Sequence, residues 1–228
     1  MNREKIFEDY LRLCKDKHFC GQGEKNSDIL IVGKESTSES IESNYIQSKK
    51  EWGCGVIRDD KRIKTWSNYQ SLIDYIYDGI KPHKPEGKLD FEKYAYTTEL
   101  SSVPRKQSDY SNARSSIQDS LCFFKESKFI QSFPVIILAC SNYIRNNEKC
   151  REIDNTFHVE FCREYGSKES RNLFWTHIDK DDPRKLVIHT RQFSNGISNA
   201  LIKEMAGVIR THLEKLDNSL LWKINSMD

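Results

Sequence analysis

Residues 27–38 read SDILIVGKESTS, and this run constrains the fold more than any other. Ile29, Leu30, Ile31 and Val32 are four apolar residues in succession, closed by Gly33. A short apolar run bounded by a turn residue is the pattern of a strand buried on both faces. A polar loop carrying Glu35 follows at once. The pattern recurs at Val135–Ser141 and at Leu186–Ser194, where His189 follows the apolar run. In open α/β sheets, ligands bind beyond the carboxyl ends of the strands. Glu35 and His189 are therefore delivered to the place where such folds do their chemistry.

Helical periodicity fills the intervals. Ile6, Phe7, Tyr10, Leu11 and Leu13 are spaced for an amphipathic helix over 3–14, within an N-terminal helical segment expected over 3–20. Thr65 is placed to cap a helix over 66–78 whose apolar face is Trp66, Tyr69, Leu72, Ile73, Ile76 and Tyr77. Further helices are expected over 113–131 and 197–216, with a short one near 38–48. Tyr94–Thr98 has strand-type residues and leads into a loop from Glu99 to Arg105. Residues 145–182 are charged with scattered aromatics, and an irregular insertion is expected there. Strands alternating with helices imply an α/β fold with a largely parallel sheet. No repeat or linker divides the chain, so 1–228 reads as one domain.

Composition narrows the function classes. With 37% hydrophobic and 31% charged residues the chain reads as soluble and globular, and a net charge of +2 advertises neither nucleic acid nor membrane. No apolar run is long enough to span a bilayer, and the first residues lack the apolar core of a signal peptide, so the expected location is the cytoplasm. Seven cysteines at irregular spacing read mostly as small buried hydrophobes. Cys14 and Cys20, with five residues between them, lack the tight spacing of a metal pair, and no metal or cofactor is expected. His18, His83, His158, His177 and His212 follow no pattern and read as structural or surface residues. The phosphate-loop, dinucleotide, nucleophile-elbow and zinc-helix motifs are all absent. A carboxylate after one strand and a histidine after another remain, expected to face one cleft within about 10 Å of each other.

The order of these segments resembles the uracil-DNA glycosylase superfamily. ILIVGKESTS is similar to the family's first strand and motif, and WGCGVIR with TWSNYQSLIDYI to the segment and helix after it. YAYTTELSSVPR looks like its middle strand and loop, VIILACSNYI like its next apolar strand, and VIHTRQFS like its last strand and motif. The resemblance covers roughly 29–210. It implies a three-layer α/β/α fold around a largely parallel four-stranded sheet, and a monofunctional glycosylase that flips and excises a damaged or deaminated base from DNA. It implies a monomer with single- or double-stranded DNA as partner and no membrane. Glu35 falls where the family activates water, and His189 where it stabilises charge on the departing base. Glu99 falls on the residue that reads the base edge, with Trp52 near the stacking position. Phe193 falls on the apolar wedge. Lys34, Ser36, Ser101, Arg105, Arg191 and Ser194 are expected to hold phosphates. The prolines of the first and last motifs are missing, with Ser36, Thr190 and Gln192 in the corresponding places. Glu99 replaces an amide; an ionised carboxylate only accepts hydrogen bonds and would favour a base presenting an amino donor. The alternative is an inactive module that binds nucleic acid or nucleotide on the same fold.

Overall fold

The computed structural model describes residues 3–14, 17–18, 20–35, 64–81, 88–103, 110–167, 172–194 and 196–216. The apolar runs form the middle of one sheet. Strands β1 (Gln22–Gly23), β2 (Ile29–Glu35), β3 (Tyr96–Ser101) and β4 (Val135–Leu138) precede a small hairpin, β5 (Asn146–Asn147) and β6 (Cys150–Arg151). Strands β7 (Glu160–Ser167), β8 (Asn172–Ile178) and β9 (Leu186–Thr190) follow. The main sheet has the order β1-β3-β2-β4-β9-β8-β7. Strands β3, β2, β4 and β9 are mutually parallel; β1 pairs antiparallel with β3 at one edge, and at the other β8 pairs antiparallel with β9 and β7 antiparallel with β8. Among the described residues the sheet thus has seven strands where four were expected, four of them forming the parallel part.

Side-chain alternation divides the apolar residues between two faces. Leu30, Val32, Ile136, Leu138 and Val187 belong to one buried cluster. Helices α1 (Arg3–Cys14), α3 (Tyr110–Glu126), α4 (Lys128–Gln131) and α5 (Glu152–Phe157) bring Phe7, Ile117, Phe129 and Phe157 to it. Ile29, Ile31, Val135, Ile137 and Ile188 face the other way. There α2 (Lys64–Ile76) and α6 (Asn199–Leu213) supply Leu72, Ile73, Met205 and Ile209. Ser198 caps α6, its hydroxyl accepting from the Leu201 amide at 3.2 Å.

Three expectations need correction. The described N-terminal helix spans Arg3–Cys14, and it does not run unbroken to residue 20: Cys14 and Cys20 are joined by a disulfide with their Cα atoms 5.8 Å apart, closer than six helical steps allow. Tyr10 and Tyr96 hydroxyls both donate to the Cys20 carbonyl, at 2.8 and 2.7 Å, and hold that turn against the core. These two cysteines are therefore paired, and among the other described ones only Cys140 is buried. The helix expected over 113–131 is broken at Ser127, whose hydroxyl caps the short α4. The region 145–182 is not irregular: β7 and β8 form a long hairpin that widens the sheet. The short helix expected near 38–48 lies outside the described residues. Among the described residues no helix is long and apolar enough to cross a membrane.

Candidate active site at the carboxyl ends of the parallel strands

Glu35 and Glu99 come together at the carboxyl ends of β2 and β3. Gly33 is in register with Glu99, and Glu35 with Ser101. Strand spacing and rise place the two glutamate Cα atoms about 8 Å apart on one face. The Glu99 side chain lies across Gly33, where a Cβ would collide with its carboxyl group. Gly33 therefore ends the apolar run by making room for an acid, at a backbone angle open to any residue.

The surroundings of Glu99 disfavour charge. Glu99 is half-buried as a residue, but its Oε2 is shut off from solvent and has no hydrogen-bond partner among the described residues. Burial, with the Glu35 charge adding, raises its pKa from 4.5 to about 8. The Tyr69 phenol and the Cys140 thiol, both buried beside it, are pushed well above their usual values by burial, with the Glu99 charge contributing. Cys140 Sγ donates to the Val32 and Gly33 carbonyls at 3.2 and 3.3 Å, tying the end of β4 to β2. Glu99 is thus a neutral carboxylic acid at pH 7, with an O–H to donate and a C=O to accept. The raised pKa disfavours the ionised, acceptor-only form of Glu99 at neutral pH.

His189 is placed elsewhere. It shares a row with Leu138 and, through it, with Val32, on the face opposite Glu99. Two strand spacings across and three residues along give about 14 Å between the Glu35 and His189 Cα atoms. His189 Nε2 lies 2.9 Å from the Ser141 carbonyl, and a neutral ring donates there. Ser141 adopts φ 51°, a left-handed conformation that few side chains take, just beyond the end of β4. Burial, more than the neighbouring His177, lowers the His189 pKa to about 4. The ring is therefore neutral, with Nδ1 as its lone-pair nitrogen.

His189 and Trp175, paired across β9 and β8 with ring centroids 5.4 Å apart, form a wall between two cavities. One, of about 510 Å³, is lined by Ser141, Asn142, Ile144, Leu173 and Arg191 as well. The other, of about 640 Å³, extends over β8 to His177, Asp154 and Arg151. Neither includes Glu35 or Glu99. The structure brings the two glutamates together, and separately His189 with Arg191.

The remaining expected residues divide as follows. Phe193 is fully buried against Tyr69, ring centroids 5.2 Å apart, so it is a core residue and no projecting wedge. Its carbonyl and that of Ser194 accept from Asn68 Nδ2 at 2.9 and 3.3 Å, tying the last loop to α2. Ser101 is buried, with its hydroxyl 3.5 Å from that of Ser116 and accepting from the Val103 amide, so it cannot reach a phosphate. Lys34 points to the other face, with Nζ 4.5 Å from the Tyr143 ring centroid. Arg191 meets no carboxylate among the described residues and borders the cavity beside His189. Trp52, Ser36 and Arg105 lie outside the described residues. Trp175, His177 and Asp154 escaped the sequence reading. The alternation of Trp175 and His177 in NLFWTHI was the available signal, since it places both on one strand face. Searches of protein-family models and of curated proteins find no match to this chain.

Proposed function

We propose that this chain is an N-glycoside hydrolase with the uracil-DNA glycosylase-like, three-layer fold, acting on a base in DNA. The observation that carries this reading is the carboxyl pair: Glu99, with its Oε2 out of solvent and its pKa raised, beside Glu35 at the carboxyl ends of parallel strands. A carboxyl group that keeps its proton, set beside a second carboxyl group, can supply an acid and a base to one reaction. Breaking an N-glycosidic bond leaves positive charge on the sugar and negative charge on the base. Glu35 stabilises the first and orients the attacking water, whose proton it accepts. Glu99 stabilises the second by donating its O–H to a carbonyl oxygen of the departing base. A neutral carboxyl also mimics the amide it replaces, so it pairs with a base edge carrying both N–H and C=O, as in uracil or hypoxanthine. His189, whose Nε2–H is held by Ser141, is not required to donate in this scheme.

The test is release of base from oligonucleotides containing uracil or hypoxanthine, read as alkali-sensitive abasic sites. Glu35→Gln should abolish release and retain binding, whereas Glu99→Gln should retain base selection. An unmodified duplex should be left intact. The commitment of His189 to Ser141 favours a second reading, an inactive binding module. Salt-sensitive DNA binding with no base released from any substrate would decide for it.

A further inference from the structure

The larger cavity beside Trp175 contains a buried acceptor that nothing in the carboxyl-pair chemistry uses. His177 is 2% exposed, and its Nδ1 lies 3.1 Å from Asp154 Oδ1. Asp154 also accepts from Asn146 Nδ2 at 3.2 Å and from Arg151 Nε at 2.8 Å. This carboxylate fixes the tautomer of His177, with the proton on Nδ1 and the lone pair on Nε2. Burial, outweighing the opposing pull of Asp154, lowers the His177 pKa below its usual value and so favours the neutral ring. Nε2 has no partner among the described residues, an unusual state for a buried acceptor.

The walls of the cavity suit a planar ring. The Trp175 indole N–H is taken by Glu164 Oε2 at 2.9 Å, which leaves the ring as an apolar surface. Phe161 is 54% exposed and stands edge-on to His177, ring centroids 5.9 Å apart. Asn146 and Asn147 border the opposite side, and Glu148 adds one carboxylate to the lining. Arg151, with its side chain 53% exposed, supplies a cation at the rim. An aromatic wall, a lone-pair acceptor at depth and an arginine at the mouth complement a neutral heterocycle with an N–H edge that carries an anionic group.

We propose that this cavity is a second site that binds a nucleotide base-first. The base lies against Trp175, its edge N–H is donated to His177 Nε2, and its phosphate meets the Arg151 guanidinium. Phe161 turns aside to uncover His177 as the base enters. The site needs neither Glu35 nor Glu99.

Titration of the protein with thymidine and deoxyguanosine monophosphates, against deoxyribose 5-phosphate, tests this. Tryptophan fluorescence and the ¹⁵N signals of the histidine rings are the readouts. Both nucleotides should bind saturably, and the base-free sugar phosphate about tenfold or more weaker, as expected when one stacking contact is lost. Trp175→Ala and His177→Phe should each weaken binding by a similar factor, and Glu35→Gln should not. In the unsubstituted protein the His177 Nε2 signal should move from the free lone-pair range toward the hydrogen-bonded range, a readout that needs no variant to fold. A sugar phosphate that binds as well as the nucleotides would overturn the inference. So would binding that survives Trp175→Ala, or an unmoved His177 signal at saturation. Glu35-dependent base release without binding at Trp175 would sink this inference alone. Binding at Trp175 without base release would sink the glycosylase reading alone.

Discussion

Replacing Glu99 with Gln should stabilise the protein, by an amount that grows with pH. The native carboxyl keeps its proton to about pH 8, whereas the ordinary value is 4.5. Between those values the folded chain holds a proton that the unfolded chain has released. Stability of the natural protein therefore falls as pH rises across that window, by ~1.4 kcal/mol for each pH unit. The penalty is absent below pH 4.5, reaches ~3 kcal/mol at pH 7 and is complete at ~5 kcal/mol above pH 8. Glutamine carries no such proton, so this part of the slope disappears. A buried amide without partners adds a cost that does not depend on pH, so the diagnostic quantity is the slope and not the offset. Urea denaturation of both proteins from pH 5 to 9, with equal m-values, gives the difference directly. It should open through this window and level off near pH 8. Glu35→Gln removes the charge that helps raise Glu99, so in that background the levelling should move to lower pH. A stability difference that stays constant from pH 5 to 9 would refute the buried neutral acid, and with it the proposed reading of the base edge.

Other substitutions probe the same architecture. Gly33→Ala should destabilise by ~1–3 kcal/mol through overpacking against the Glu99 carboxyl, and the penalty should shrink in a Glu99→Ala background, as chemical denaturation of the double-mutant cycle would show. Phe193→Ala should cost ~3–5 kcal/mol of stability, the loss expected of a buried aromatic, whereas a residue serving only as a DNA wedge would cost almost none. Acid should weaken the fold through His189: its neutral form is favoured above pH 6.5, and this contribution is lost as pH falls from 6.5 to about 4, so His189→Asn should flatten the Tm profile over that range. Reduction of the Cys14–Cys20 bond should lower stability by ~2 kcal/mol, measured as a drop in Tm on adding a reductant.

The central strands were legible because burial on both faces leaves little but Ile, Leu and Val at 29–32, 135–138 and 186–188. The β7–β8 hairpin was not. Its outer strand is solvated, with Glu160, Phe161, Cys162 and Arg163 all exposed, so neither alternation nor an apolar run announces it. Trp175, His177 and Asp154 were lost with it, since their meaning depends on that hairpin meeting α5. Glu35 and Glu99 were both visible as residues. Their coupling was not, because it arises from parallel register and from the missing side chain of Gly33. The position of His189 on the opposite face follows from counting alternation back from Leu138, which requires the register between β4 and β9. The disulfide was hidden for a similar reason: a spacing of six has no meaning until the chain turns at the end of α1.

The seat of Glu99 over Gly33 turns one contact into a rule for recognising sequences. A chain that enlarges position 33 must surrender the long acid at position 99, and a chain that keeps the acid must keep the glycine. Among proteins built on this strand order, the two positions should therefore change together. Glycine paired with a long carboxyl or amide side chain would mark a retained polar group at this strand end, and a bulkier residue paired with a short one would mark its loss. A pair of residues 66 apart in the chain can then be searched for directly, even where the surrounding motifs have drifted beyond detection.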